Sequence, residues 1–329
     1  MNKNTVPLLS LAFVKAYWIT MRPYLLFISA AAGTAGFAGG PARGAVTTLG
    51  AFFVFFSAYG FSQGLTDSFQ TDTDAISSPY RPLIQGVITR TQTLCVSLMG
   101  LFIGVAILYV LNPQTLLLGL LAVFGLATYT FFKRRWWGGP FYNAWIVALL
   151  PIIGKMAAMG AESTPASALN DGALWSIVIG VLFSYANFVL AGYTKDISAD
   201  RMTGYNTFVV VFGWSRTAIV SDIFAALSVG ATGRTIAPLV LASEAISWRG
   251  FSLLTFALAI AVLARAQVML HRTRDERFAF RPIVNVVRGF ILLRLTEIIF
   301  LRPEWIPAAA VFYFLFEWVL SRRPAKEQV

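Results

Sequence analysis

The chain has 329 residues, of which 57% are hydrophobic and 12% charged, with a mean hydropathy of +0.69. A soluble domain carries about 25% charged residues, so this composition excludes an ordinary globular protein and points to a polytopic membrane protein. The net charge of +11 implies no nucleic-acid partner, because no basic face on a soluble domain accompanies it.

In chain order, the first segment "MNKNTVPLLSLAFVKAYWITMRP" holds a short apolar run interrupted by Lys15 and Arg22. It has no small-residue cleavage site, and we read it as an amphipathic interfacial helix rather than a signal peptide. Apolar segments then recur near 23–40, 46–65, 93–112, 114–132, 142–160, 173–193, 214–233, 250–270, 285–301 and 305–320. The stretch at 235–247 is semi-apolar and reads as a loop or an interfacial helix, so the expectation is nine or ten spans. They form one all-α transmembrane bundle, with a single domain over residues 1–329 and C-terminal spans at 250–320.

The connections alternate in charge. Lys3, Lys15, Arg22, Arg81, Arg90, the "KRR" at 133–135, Lys195, Arg201, the segment "HRTRDERFAFRPIV" and the tail "SRRPAKEQV" fall on one side of a ten-span topology. The opposite connections "GPARGA", "NPQT" and "AESTPASALNDGA" are nearly free of Lys and Arg. The positive-inside rule places the first set in the cytoplasm. The chain is thus expected to be an integral, multi-pass membrane protein, in the inner membrane if the cell is bacterial.

The single Cys95 and single His271 allow neither an internal disulfide nor a Cys/His zinc site. Any metal must be held by oxygen, as Mg²⁺ is. Two acidic clusters supply that oxygen. "TDSFQTDTDAISSPYRP" carries Asp67, Asp72 and Asp74 directly after an oily run, and "YTKDISADRMTGYNT" carries Asp196 and Asp200 on the same side. Asp196 and Asp200 are four apart and share a helix face, as do Asp67, Gln70 and Asp74. Asp72 falls about 140° from Asp67 on a continuous helix, and only a loop or a break brings it to the others. Facing carboxylates at a low-dielectric membrane mouth repel unless a cation lies between them. Mg²⁺ takes few protein carboxylates and fills its shell with substrate phosphates, so the pair of clusters predicts a diphosphate substrate. Arg81, Lys195 and the basic run at 133–135 stand near enough in sequence to contact phosphate.

These segments resemble the UbiA superfamily of intramembrane prenyltransferases. "DAISSPYRPLIQG" looks like the end of its first Asp-rich motif, "KDISADRMTGYNT" followed by Gly213 looks like its second, and "TYTFFKRRWWGGPFYNAW" looks like its Tyr–basic–Asn segment. The match covers about residues 20–230. The resemblance implies a helical bundle around a central cavity open to lipid, with Mg²⁺ as cofactor and an isoprenyl diphosphate as substrate, in isoprenoid biosynthesis. Its site residues would be Asp67, Asp72, Asp74, Asp196 and Asp200 at the metal, and Arg81, Lys133, Lys195, Gln70 and Asn143 at the diphosphate. Asp67, Asp74, Asp196 and Asp200 would be the catalytic set. Thr66 and Gln70 stand where the family has Asn and Asp. Asp72 is an extra carboxylate that compensates, or Gln63 replaces the Asn with a longer loop.

The expected reaction is transfer of the prenyl group to an aromatic or other lipophilic acceptor. A membrane terpene cyclase, which uses the substrate's own double bonds, is the alternative. A transporter with a cation site is the reading from another class; against it, the acidic clusters lie at span ends on one side, and no inverted repeat is visible. Phe52, Phe53, Phe55, Phe56, Tyr129, Phe183, Tyr185 and Phe188 are the aromatic candidates for lining the cation's path. Arg294 and Glu297, three apart, are expected to pair within their helix, Arg288 to snorkel from the end or bind substrate, Lys155 to snorkel outward, and His271 to lie in a loop.

Overall fold

The computed structural model describes residues 5–8, 10–161, 163, 165–241 and 250–323. The tail beyond Arg323 and residues 242–247 of the 235–247 stretch lie outside them; residues 235–241 continue the helix that precedes them.

Helix α1 (Leu11–Met21) starts where the Ser10 hydroxyl accepts from the Phe13 amide. It ends at Arg22, which takes a left-handed backbone before Pro23. A short 3₁₀ turn leads into α2 (Leu26–Ala38), which is apolar and buried along nearly its whole length. The long α3 (Ala45–Asp67) returns across the bundle and stops at the acidic cluster. After a break, α4 (Thr71–Ser77) is a two-turn helix that carries Asp72 and Asp74.

Helix α5 (Arg90–Leu111) opens on a capping box between Thr89 and Gln92. Then come α6 (Thr115–Arg135), α7 (Gly139–Met159, with Pro140 in its first turn), α8 (Pro165–Leu169) and α9 (Gly172–Gly192). The carboxylate of Asp171 caps α9 through the amides of Ala173 and Leu174. The small α10 (Ile197–Met202) bears Asp200. Helix α11 (Phe208–Leu241) is kinked at Gly213, whose φ of 77° only glycine adopts cheaply. Last come α12 (Gly250–Thr273), α13 (Phe280–Leu301) and α14 (Ile306–Ser321).

Among the described residues, eight helices are long and apolar enough to cross a membrane: α3, α5, α6, α7, α9, α11, α12 and the last segment, Pro303–Ser321. The two other expected spans are also helical. The first is the shorter apolar piece Pro23–Ala38, and the second is α13, which includes Arg281, Arg288, Arg294 and Glu297 in its length. Every backbone polar group inside a bilayer must be satisfied within its own segment or a closed sheet, and the all-helical architecture does this.

The core lies where α2, α7, α9 and α13 meet, with Leu25, Ile28, Ala144, Leu190, Ile283 and Phe290 fully buried. Backbones touch there. A Cβ on Gly36 would stand 1.9 Å from the Pro151 carbonyl oxygen, and one on Gly154 2.1 Å from that of Gly33. Helices α5 and α6 turn Ile103, Val110, Leu117 and Phe124 outward, the surface a lipid-facing helix presents.

Both acidic clusters and the basic connections gather at one end of the bundle. Thr73 of α4 bonds Thr203 beside α10, the Asn206 amide donates to the Arg134 carbonyl, and Ser198 bonds Glu276 of the 271–284 connection. The N-terminal segment joins the same end through the Val6 amide to Val87.

Three expectations are corrected at this level. Lys155 does not snorkel: its Nζ bonds Asp171 Oδ2 at 2.6 Å and the Gly39 carbonyl, because the cap of α9 offers a nearer anion than any headgroup. His271 lies in the last turn of α12, not in a loop, with Nε2 2.7 Å from Asp222 Oδ2. Arg288 is neither free nor at a substrate: it pairs with Glu317 of α14 at 2.7 Å through both guanidinium edges. The Arg294–Glu297 pair forms as expected, at 2.8 Å with both side chains fully buried.

Candidate active site

The α3–α4 break shapes the first half of the site. Helix α3 ends at Asp67, and α4 begins at Thr71, so Asp67, Gln70 and Asp74 do not ride one continuous helix. The break still turns Asp67, Gln70 and Asp74 toward the bundle axis, where all three are buried. It does not bring Asp72 with them. Asp72 faces outward and accepts from Arg134 at 2.8 Å and Tyr205 at 3.2 Å, and the Arg134 guanidinium also lies 4.6 Å above the Tyr205 ring. This triad ties α4 to the end of α6 and to the segment after α10.

The second half comes from the end of α9 and from α10. Asp196 lines the cavity; Asp200 is fully buried, with Oδ2 accepting from Thr207 at 3.0 Å. Lys133, from the last turn of α6, stands between the halves. Its Nζ donates to Gln70 Oε1 at 2.8 Å, lies 3.8 Å from Asp200 Oδ1, and sits over the rings of Tyr193 and Tyr205. Arg81, in the turn after α4, comes within 2.5 Å of Asp74 Oδ2 and 3.7 Å of Asp67 Oδ2.

Sequence reasoning missed Arg22, which places one Nη2 3.1 Å from each oxygen of Asp67. It lies far from Asp67 in the chain and reads as an interfacial residue. Its one local signal is the Arg-Pro step that ends α1. Lys195 and Asn143 line the same cavity, as do Tyr59, Phe61 and Tyr193, which were not among the aromatic candidates. Of those candidates only Tyr129, Tyr185 and Phe188 line it. Phe52 and Phe55 line a separate apolar groove beside α14, Phe53 faces outward, and Phe183 packs on Phe224.

The charged chamber continues into an apolar limb between α3, α5, α6 and α7, past Gly100, Gly104, Gly119, Leu126 and Leu150. From Asp67 to Val54 on its α3 wall the limb runs about 20 Å at the helical rise. Such a cavity receives an amphiphile with a polyanionic head and a long hydrocarbon tail.

Burial pushes the Asp200 carboxyl up to about 6, with Lys133 pulling the other way, and it raises Asp74 against the pull of Arg81. Asp200 Oδ1 is buried without a hydrogen bond, whereas Asp74 Oδ2 is paired with Arg81. A carboxylate raised by desolvation and left with unmet acceptor capacity gains most from a hard cation, so these oxygen donors fit Mg²⁺. Among the described residues no three of the His, Cys, Asp and Glu side chains come together to hold a metal ion by themselves. A cation here must complete its shell from substrate oxygens or water.

An all-helical membrane bundle with a polyanion-binding chamber at the mouth of an intramembrane apolar cavity is the architecture of an enzyme for lipid-tailed substrates. The chain belongs to the UbiA prenyltransferase family, whose model matches residues 25–292. It is a multi-pass membrane prenyltransferase. The match runs past the expected limit near 230 into α12 and α13, whose apolar pattern carries no motif to read by eye. The chain is 27% identical to digeranylgeranylglyceryl phosphate synthase of Pyrococcus abyssi, over 66% of this chain and 76% of that one. Its fold resembles the apo structure of a UbiA homologue from Aeropyrum pernix K1, with a TM-score of 0.70, 19% identity, and 84% and 97% of the two chains covered. It also resembles a UbiA homologue from Archaeoglobus fulgidus bound to DMAPP and Mg²⁺, with a TM-score of 0.62, 17% identity, and 93% and 99% covered.

Proposed function

We propose that the chain transfers the prenyl group of a long isoprenyl diphosphate to a lipophilic acceptor, with its charged chamber facing the cytoplasm. The observation that carries this reading is the gathering of Asp67, Asp74, Asp196, Arg81 and Lys133 at the head of the apolar limb, with Asp200 buried 3.8 Å behind Lys133.

Asp196 and Asp200 would hold Mg²⁺ together with substrate oxygens, and it would supply positive charge to the departing diphosphate. Arg81 and Lys133 add fixed cationic donors to the same oxygens, and Lys195 and Asn143 complete the wall of the chamber. The allylic C–O bond breaks with its electron pair leaving on the diphosphate. The carbon left behind lies among the faces of Tyr59, Tyr129, Tyr185 and Phe188, which stabilise positive charge and exclude water. The acceptor's nucleophilic atom forms the new bond and releases its proton. Tyr129 and Tyr193, whose hydroxyls lie 2.8 Å apart, are polar groups at the chamber's edge that can orient it.

The similar Pyrococcus enzyme is named for digeranylgeranylglyceryl phosphate, which makes a prenylated glyceryl phosphate the first acceptor to try. The test is purified protein in nanodiscs with Mg²⁺, labelled prenyl diphosphates of graded length, and that acceptor beside aromatic ones. Acceptor-dependent diphosphate release is the expected result. Release without acceptor, together with a cyclic hydrocarbon product, would instead establish the cyclase, and no release with any length would refute both.

A further inference from the structure

We infer that this chain grips its diphosphate with one divalent ion, at Asp196 and Asp200, and that the guanidinium groups of Arg22 and Arg81 take the cation's place at Asp67 and Asp74. The inference rests on the prenyl-diphosphate reading above and deepens it.

Four observations support it. First, the Asp67 carboxylate is already engaged. Arg22 Nη2 bridges its two oxygens at 3.1 Å, Gln63 Nε2 donates to Oδ1 at 2.5 Å, and Arg81 lies 3.7 Å from Oδ2. A buried carboxylate bonded by arginine is stable only with its partner in place, so a second cation would have to displace Arg22 into an apolar surrounding.

Second, Gln70 is neutral, and both ends of its amide are used. Oε1 accepts from Lys133 and Nε2 donates to Thr130 Oγ1 at 3.3 Å. The ammonium can only donate, which fixes the carbonyl on Lys133. A hard cation beside Gln70 would face that ammonium at 2.8 Å from the same oxygen.

Third, the second cluster is open where the first is closed. Asp74 Oδ2 is paired with Arg81 at 2.5 Å, whereas Asp200 Oδ1 is buried without a hydrogen bond and has only the Lys133 ammonium, at 3.8 Å. Fourth, the Arg22 backbone is left-handed, with φ 52° and ψ 73°. A non-glycine residue there is strained, and such strain persists where a side chain is needed. Glycine would relieve it, and the arginine that remains is aimed at Asp67.

The head group would therefore meet a metal on the α10 side and a pair of arginines on the α1–α4 side. Arginine's planar fork suits phosphate as well as carboxylate, so Arg22 and Arg81 can hold Asp67 and still present donors to a phosphate.

The experiment counts metal. Full-length protein in nanodiscs is titrated with Mn²⁺ in the presence of inorganic pyrophosphate, and free Mn²⁺ is read by its paramagnetic resonance. Wild type is expected to bind one Mn²⁺ per chain. Asp67→Asn keeps that stoichiometry, Asp200→Asn loses it, and Arg22→Gln weakens pyrophosphate about tenfold with the Mn²⁺ count unchanged. The double variant Arg22→Met/Gln70→Asp, which opens the wall and restores a charge, is expected to gain a second Mn²⁺. Monodispersity and helical circular dichroism of each variant confirm that it is folded. Two Mn²⁺ in wild type, falling to one in Asp67→Asn, would overturn the inference and leave the prenyltransferase reading intact. Neither Mn²⁺ nor pyrophosphate bound by wild type would overturn both.

Discussion

The Arg294–Glu297 pair is the sharpest place to test how the bundle is held together. Both side chains are fully buried. Arg294 Nη1 reaches Glu297 Oε2 at 2.8 Å and the Ile177 carbonyl of α9 at 3.2 Å, and Nη2 donates to Thr232 Oγ1 of α11 at 2.9 Å. Thr232 in turn donates to Glu297 Oε1 at 2.9 Å, and Gly180 leaves the room, since a Cβ there would lie 2.8 Å from Nη2. The pair therefore pins α9, which leads into Asp196 and Asp200, to α11 and α13. Replacing Glu297 by Leu leaves the guanidinium with two neutral acceptors and no counter-charge. The expected cost is about 3–5 kcal/mol, the range for breaking a buried ion pair. Replacing both residues, Arg294→Met with Glu297→Leu, removes the uncompensated charge and is expected to fall within about 1 kcal/mol of wild type. The four proteins form a double-mutant cycle, read by tryptophan fluorescence during titration from mild detergent into SDS. A single Glu297→Leu variant within 1 kcal/mol of wild type would refute the reasoning, because it would mean that the guanidinium finds water or a headgroup at that depth.

Gly36→Ala and Gly154→Ala should each lower stability by about 2 kcal/mol or more in the same titration, because the added methyl meets backbone carbonyls at 1.9 and 2.1 Å rather than a side chain that can turn aside. Lys133→Met should lower kcat at least a hundredfold while prenyl diphosphate binding weakens less, since the ammonium serves the departing charge. Gly104→Leu, on the limb wall where a Cβ would stand 3.2 Å from Val54, should shift the ratio of kcat/KM toward shorter prenyl diphosphates by about tenfold in a competition assay. Partial burial raises the Asp171 carboxyl, but hydrogen bonds from Lys155 and the α9 amides outweigh it and hold the group below its usual value. Its stabilisation is therefore present above about pH 4 and lost as pH falls through the depressed value. Asp171→Asn, which keeps the cap, should cost up to about 1 kcal/mol at pH 7, and the cost should shrink steadily as pH falls below about 4, a difference that acid unfolding of the two proteins measures.

The ten apolar segments were legible because hydrocarbon burial imposes a length and a composition that a single strand of sequence displays. The acidic clusters were legible because carboxylates beside an oily run have few structural uses. What local spacing could not show was pairing across the fold. Arg22 and Lys155 read as interfacial cations until Asp67 and Asp171 arrive from elsewhere in the chain. Asp72 shares a short segment with Asp74, yet the turn of α4 sends it to Arg134. The break after Asp67 has no proline or glycine to announce it; Ser68, Phe69 and Gln70 leave the helix because Arg22 and Lys133 hold Asp67 and Gln70 on either side. Aromatic residues gave the weakest signal. Phe52 and Phe188 look alike in an apolar run, and only the rotation of their helices separates them.

The backbone contact between α2 and α7 also bears on how the protein is made. Helix α2 is short; Gly33 lies against Phe55 of α3, and its other face meets the Pro151 and Gly154 stretch of α7. During synthesis α3, α5 and α6 emerge before α7 exists. Helix α2 can pair with α3 at once, but its second face waits in lipid, and the bundle closes only once α7 has followed. A ribosome-stalling series should find protease resistance of the first half arriving in one step, with α7 rather than helix by helix.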